Sequence, residues 1–218
     1  MATTLLRKTV LTAAGIAATA GGIAGPAIAA HAAPTGTTGT TGTTAMVTDR
    51  KNHGERELDV RYEAQPNFYF CGPAAARNAL SVQGKNIDVH AMAREMGTTE
   101  AGTDSINDIT PVLNKQTGAT DAYKSVEIST PKADDKQTDT LRADVIKTVD
   151  AGRAVVANIA GTATDTDGTT HSFEGGHYIS VTGYRDNGDT VTIADSADPN
   201  TATYRMSIDN LADWIATR

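Results

Sequence analysis

The chain has one cysteine, and it stands in the run Gln65-Pro-Asn-Phe-Tyr-Phe-Cys71-Gly-Pro-Ala-Ala-Ala. A small-residue, helix-forming stretch follows it, so Cys71 opens a helix, with Pro73 tolerated in a first turn whose N–H groups have no acceptor within the helix. The same unsatisfied N–H groups and the helix dipole favour an anion there. A thiol in that place ionises more readily, and the thiolate is the nucleophile. Gly72 leaves room beside the sulfur for a substrate carbonyl. Gln65, six residues upstream, can turn back so that its amide and the Cys71 N–H face a developing oxyanion.

A thiolate nucleophile needs an imidazole partner. His53 lies in a charged run, Asp-Arg-Lys-Asn-His-Gly-Glu-Arg-Glu, and reads as solvated; His90 falls within a helix; His171 sits in a Gly/Thr-rich loop. His177 follows Gly175-Gly176, which lets the chain approach another segment closely, and opens a strand whose neighbour ends in acid. It is the candidate base. The acid that orients it is Asp195 or Asp198. A two-residue Asn187-Gly188 turn places Asp198 opposite His177 but puts Ile179 and Val181 on the face of Thr190 and Thr192. A three-residue loop, Asp186 to Gly188 with a bulge at Gly188, puts Ile179, Val181, Val191 and Ile193 on one face and Arg185 opposite Asp189. A one-residue slip exchanges faces, so the apolar match selects the second register and brings Asp195 onto the face of His177.

These residues must be held by regular elements. Apolar spacing and end signals predict helices over 71–82, 88–96 (Asp88 as N-cap, Gly97 as stop), 105–115 and 138–151, with a strand over 122–128. The period then changes to two. Strands are expected over 154–159, 177–184, 190–195 and 203–206, followed by a helix capped by Ser207. Helices early and an antiparallel sheet late make an α+β domain. The stretches 98–104 and 162–174 are expected to be loops forming cleft walls.

The start of the chain bears on compartment. Arg7-Lys8 precedes an apolar, small-residue run from Thr9 to Ala29, which reads as a secretory signal over residues 1–32, cleaved after Ala32 or Ala29. Residues 33–45 are a Thr/Gly repeat that cannot bury a core and serve as a linker. One domain, 46–218, follows. Loss of Arg7 and Lys8 takes the 19 basic residues to 17 and the formal charge from −7 to −9. That acidity argues against nucleic acid and anionic membrane as partners. One cysteine and scattered histidines make no metal site, and no cofactor is expected.

Gln65, five intervening residues and Cys71-Gly-Pro-Ala-Ala, together with the distant Gly175-Gly-His-Tyr-Ile-Ser…Val191-Thr-Ile-Ala-Asp195, resemble papain-like cysteine peptidases, and most closely the bacteriocin-processing, double-glycine leader peptidase-like family. The resemblance implies a papain-like fold, Cys71 as nucleophile, His177 as base, Asp195 as its partner and Gln65 in the oxyanion hole. It implies a stand-alone, secreted, monomeric cysteine peptidase acting on a peptide or protein. That family carries Asp-Pro directly, whereas this chain reads Asp195-Ser-Ala-Asp198-Pro. Two other functions stay open on the same scaffold: acyl transfer, as in transglutaminase-like or phytochelatin-type enzymes, and a non-catalytic binding module.

Overall fold

The computed structural model describes residues 9–12 and 54–216, which belong to one compact unit. His53, the 33–45 linker and all of the 1–32 segment except Thr9–Thr12 lie outside the described residues.

Strands β1 (Thr9–Thr12), β2 (Arg56–Glu57), β3 (Lys124–Glu127), β4 (Val155–Thr164), β5 (Thr170–Arg185), β6 (Thr190–Ala194) and β7 (Thr203–Ser207) form a sheet in the order β3-β1-β4-β5-β6-β7. Its strand pairs are antiparallel, and β2 pairs with the far end of β5. The helices are α1 (Cys71–Ser81), α2 (Val89–Glu95), α3 (Ile106–Thr117), α4 (Asp135–Asp150) and α5 (Ile208–Ala216). The architecture is α+β.

The first half of β4, Val155 to Ala160, shows why its sequence carries no polar alternation. Val155, Ala157 and Ile159 pack with Leu141, Val145 and Val149 of α4 and Leu211, Trp214 and Ile215 of α5. Ala154 and Val156 pack with Ala75, Ala79 and Leu80 of α1 and with Ile109 and Leu113 of α3. A strand covered on both faces buries every side chain, so it reads as a continuous apolar run. Helix α1 is buried over its whole length. Its alanines let it lie close to β5, where Ser180 Oγ donates to the Ala75 carbonyl at 2.7 Å.

The helix ends follow their signals. Asp88 and Ser105 cap α2 and α3 through Ala91 N–H and Asn107 N–H. Helix α4 starts earlier than its apolar spacing predicts, because Asp134 and Gln137 form a reciprocal capping box. Ser207 Oγ accepts from Asn210 N–H at the start of α5.

Two expectations need correction. The 162–174 stretch is not a loop. Its two arms pair from Thr162↔Ser172 to Thr164↔Thr170 and lengthen β4 and β5 into a hairpin, with the turn held by Asp165 accepting from Asp167 and Thr169 N–H. Nor is the β5–β6 connection the three-residue loop. Arg185 pairs with Thr190, leaving Asp186 to Asp189 in the turn, with positive φ at Asp186, Asn187 and Gly188. Asn187 N–H is taken by the Gly54 carbonyl at 2.8 Å, and Gly188 lies under α4, where a Cβ would come within 2.7 Å of Arg142. Arg185 therefore meets Glu57, and Asp189 meets Arg142. The pairing near the turn is thus the rejected one. A bulge between Val181 and Gly183 shifts it by one residue, so that Val181 pairs with Ile193 and Ser180 with Ala194, as the apolar match requires.

Candidate active site

The chain before α1 is fastened by α1 itself. Glu63 N–H donates to Asn78 Oδ1 at 3.0 Å, Asn78 Nδ2 donates to the Glu63 carbonyl at 3.1 Å, and Arg77 forms an ion pair with the Glu63 carboxylate. Two residues on, Gln65 N–H donates to the Ser196 carbonyl at 2.9 Å. The Gln65 side chain is fixed at both ends of its amide. Nε2 donates to the Asn67 carbonyl at 2.9 Å, and Oε1 accepts from Ser196 Oγ at 3.0 Å. A backbone carbonyl can only accept, so the amide orientation is unambiguous and one N–H of Nε2 stays available.

Cys71 is the first residue of α1 and 8% exposed. Burial alone would raise its pKa. The hydrogen bond and charge of His177 and the backbone N–H groups of Tyr178 and Gly72 outweigh burial, so the thiol lies below its ordinary value. Gly72 does not leave room for a substrate, as its sequence position suggested. The space its side chain would fill belongs to Thr103, whose Oγ1 would stand 2.7 Å from a Cβ there.

His177 is buried at the start of the segment of β5 that packs in the core, and Nε2 is 2.7 Å from Asp195 Oδ1. That leaves Nδ1 for the thiol. Burial works against the imidazolium here too. Asp195 and Cys71, through hydrogen bonds and charge, more than compensate and push its pKa up to about 9. Burial would raise the Asp195 carboxyl, but His177, the Ala197 N–H and the Tyr204 hydroxyl hold it below the usual range. Asp198 is elsewhere: exposed, it accepts from the N–H of Asn200 in the turn before β7.

Three contacts were not anticipated from the sequence. Ser196 is the residue after Asp195, so one tight corner holds both the acid and the clamp on Gln65. Tyr204, on the strand beside β6, donates to Asp195 Oδ2 at 2.9 Å, while its ring stacks on His171 at 3.8 Å. His171 in turn meets Asp165 at 2.9 Å. Phe173 stacks on the His177 imidazole at 4.1 Å and 17°. Adjacency to Asp195 was the one available signal for Ser196; Tyr204 and Phe173 carried none. His90 is an exposed residue of α2 whose ring meets Phe70 edge-on at 5.1 Å.

Gln65, Cys71, His177 and Asp195 are therefore brought together, with Gln65 and His177 on the wall of one open cavity of about 450 Å³. The arrangement can ionise a thiol, hold an imidazolium and present amide donors beside it, which is what acyl transfer through a thioester needs. Among the described residues no group of three or more His, Cys, Asp or Glu side chains could hold a metal.

A model of the Peptidase_C39 like family matches residues 57–218. No curated protein matches the chain. Solved structures resemble it, three of which are as follows. One, from Bacillus anthracis and described as a C39-like peptidase, is 14% identical with a TM-score of 0.48, covering 74% of this chain and 94% of that one. The peptidase domain of Streptococcus ComA, a bi-functional ABC transporter of a quorum sensing pathway, is 14% identical at 0.38, covering 72% and 92%. A double glycine motif protease from an AMS/PCAT transporter, in complex with the leader peptide, is 11% identical at 0.35, covering 72% and 85%.

Proposed function

The chain belongs to the Peptidase_C39 like family, a family of cysteine peptidases with a papain-like α+β fold, and on that premise we propose that it hydrolyses peptide bonds with Cys71, His177 and Asp195 as a triad. The observation that carries this reading is the buried His177 Nε2–Asp195 Oδ1 hydrogen bond at 2.7 Å, with the Cys71 thiol near enough to the same imidazole for each to shift the other's pKa and the Gln65 amide fixed on the cavity wall that His177 shares.

The Cys71 thiolate attacks the carbonyl carbon, and the oxygen takes up the electron pair. The free N–H of Gln65 Nε2 and the Cys71 backbone N–H hold that oxyanion. As the intermediate collapses, the C–N bond breaks and the proton on His177 Nδ1 passes to the departing amine. The acyl group stays on the sulfur as a thioester. Water then enters, gives its proton to His177 and attacks the thioester, which releases the acid and restores the thiolate. Asp195 keeps the imidazole oriented and stabilises its charged form throughout.

Export by the N-terminal segment is part of the proposal, with a peptide or protein outside the cytoplasm as substrate. The test is incubation of the protein and its Cys71→Ala variant with a proteome-derived peptide library, read by mass spectrometry. New termini that appear only with the unsubstituted protein are expected. Adducts of an added amine in place of new acid termini would move the reading to acyl transfer, and no Cys71-dependent product at all would sink it.

A further inference from the structure

We propose that the cavity beside His177 is the subsite for the residue that follows the scissile bond, and that it selects an aromatic or large aliphatic side chain. The inference rests on the peptidase reading and adds a substrate class to it.

The side of the bond follows from which atoms form the wall. The acyl half of a substrate stays attached to Cys71, whereas the amine half departs with a proton from His177. The cavity is walled by His177, Gln65 and Asn67 and has no Cys71 atom in its lining. It therefore faces the departing half. Its volume, about 450 Å³, falls in the roughly 300–1,000 Å³ range of small-ligand sites, enough for a side chain and its flanking backbone.

The chemistry follows from the rest of the lining, which is Phe68, Phe173, Ala197 and Gly176. No acidic side chain and no lysine or arginine lines it. Phe173 has one face committed to His177. Phe68 is 81% exposed, the one large hydrophobic side chain exposed to that extent among the described residues. It stands three residues before the thiol, braced edge-on by Tyr69 at 5.1 Å. A single exposed phenylalanine is ordinary on a protein surface; what singles out Phe68 is that it lines the cavity whose wall also holds Phe173 and His177. Gly176, at φ 89°, brings the backbone to the cavity without a side chain to fill it. Two phenylalanines over a glycine floor recognise an apolar ring or branched chain by area, and the one charged group on the wall, the His177 imidazolium, is already committed to Asp195 and Cys71.

The experiment takes one peptide cleaved by the protein and varies only the residue after the cleaved bond, as Phe, Leu, Ala, Lys and Asp, measuring kcat/KM. The Phe and Leu peptides are expected to exceed Ala by about tenfold or more, the span that apolar pockets achieve, and Lys and Asp to fall below Ala. In Phe68→Ala the Phe-to-Ala ratio is expected to drop below about threefold, and in Phe68→Trp to persist. A ratio within one variant does not depend on how much of it is folded. Equal rates across the series, or an unchanged ratio in Phe68→Ala, would overturn the subsite while leaving the peptidase reading intact. If no peptide is cleaved, the peptidase reading fails separately. The subsite is then read from the NMR signals of Phe68 and His177 in Cys71→Ala as phenylalanine amide or alanine amide is added. Larger shifts with phenylalanine amide support it, and equal or absent shifts refute it.

Discussion

Cys71 and His177 each hold the other's charge, and both do so inside the protein, where water helps neither. Loss of the pair at high pH follows from the sign of the shift. His177 is raised above its ordinary value, so the stability it contributes is complete below about 6.5 and is lost as pH rises through about 9. Asp195, held low, contributes its full stability above the ordinary carboxylate range and loses it as pH falls below that range through its lowered value. Activity measured against pH is expected to fall with an apparent midpoint near 9, a value that belongs to the coupled pair; a flat profile through pH 10 would contradict it. Ser196 acts one step away, through Gln65. Ser196→Ala is expected to lower kcat about tenfold with little change in KM, less than the roughly 10²–10³ that loss of an oxyanion donor costs. In a Gln65→Ala background the same substitution should do nothing further. An equal effect in both backgrounds would mean that Ser196 serves the fold alone.

The elements show which parts of this site a sequence can reveal. Cys71 at a helix start was legible from Gly72-Pro73 and the alanines after it, because local rules govern helix ends. The pairing of His177 with Asp195 was legible from the apolar faces of Ile179, Val181 and Ile193, although the turn that generates it was misread. The apolar faces fix the pairing at the buried end, Gly54 and α4 fix the turn at the other, and the bulge near Thr182 absorbs the one-residue difference. Contacts between distant elements leave no such periodic trace, which is why Thr103 against Gly72, or Tyr204 beneath Asp195, was invisible. Gly72→Ala tests that first contact. Thr103 is buried and its Oγ1 shares a hydrogen bond with Thr98 at 2.8 Å, so it has nowhere to go. Overpacking of this kind costs about 1–3 kcal/mol, expected as a lower Tm that Thr103→Ala partly restores in the double variant. No change in Tm would show that α1 can shift freely.

At the scale of the molecule, the two helical layers divide the work. Helices α1 to α3 carry the nucleophile on one face of the sheet, and α4 and α5 support from the other face the strands that bring His177 and Asp195. Segregation of helices early and strands late made the α+β class legible; the second layer was not, since nothing in α4 or α5 says which face it covers. Among the described residues no helix is long and apolar enough to cross a membrane. The proposed export places a cut after Ala29 or Ala32 and would remove β1, which lies between β3 and β4 in the sheet, pairing with β3 over four residues and with β4 at Val10↔Ala157. Every residue of the site lies outside β1. A protein beginning at Ala33 is therefore expected to keep the activity of the full chain, with the mature N-terminus read from the intact mass of exported material. Collapse of that shortened protein would make β1 part of the working domain.

The central claim is that Cys71 is an ionised nucleophile held by His177, and the rate of its alkylation by iodoacetamide as a function of pH tests it most directly. The account predicts rapid labelling at pH 6 in the wild-type protein, confined to Cys71, and a shift of the labelling midpoint toward the ordinary thiol value of about 8.5 in His177→Ala. Wild-type labelling that begins only near that ordinary value, or labelling at pH 6 that survives in His177→Ala, would contradict it.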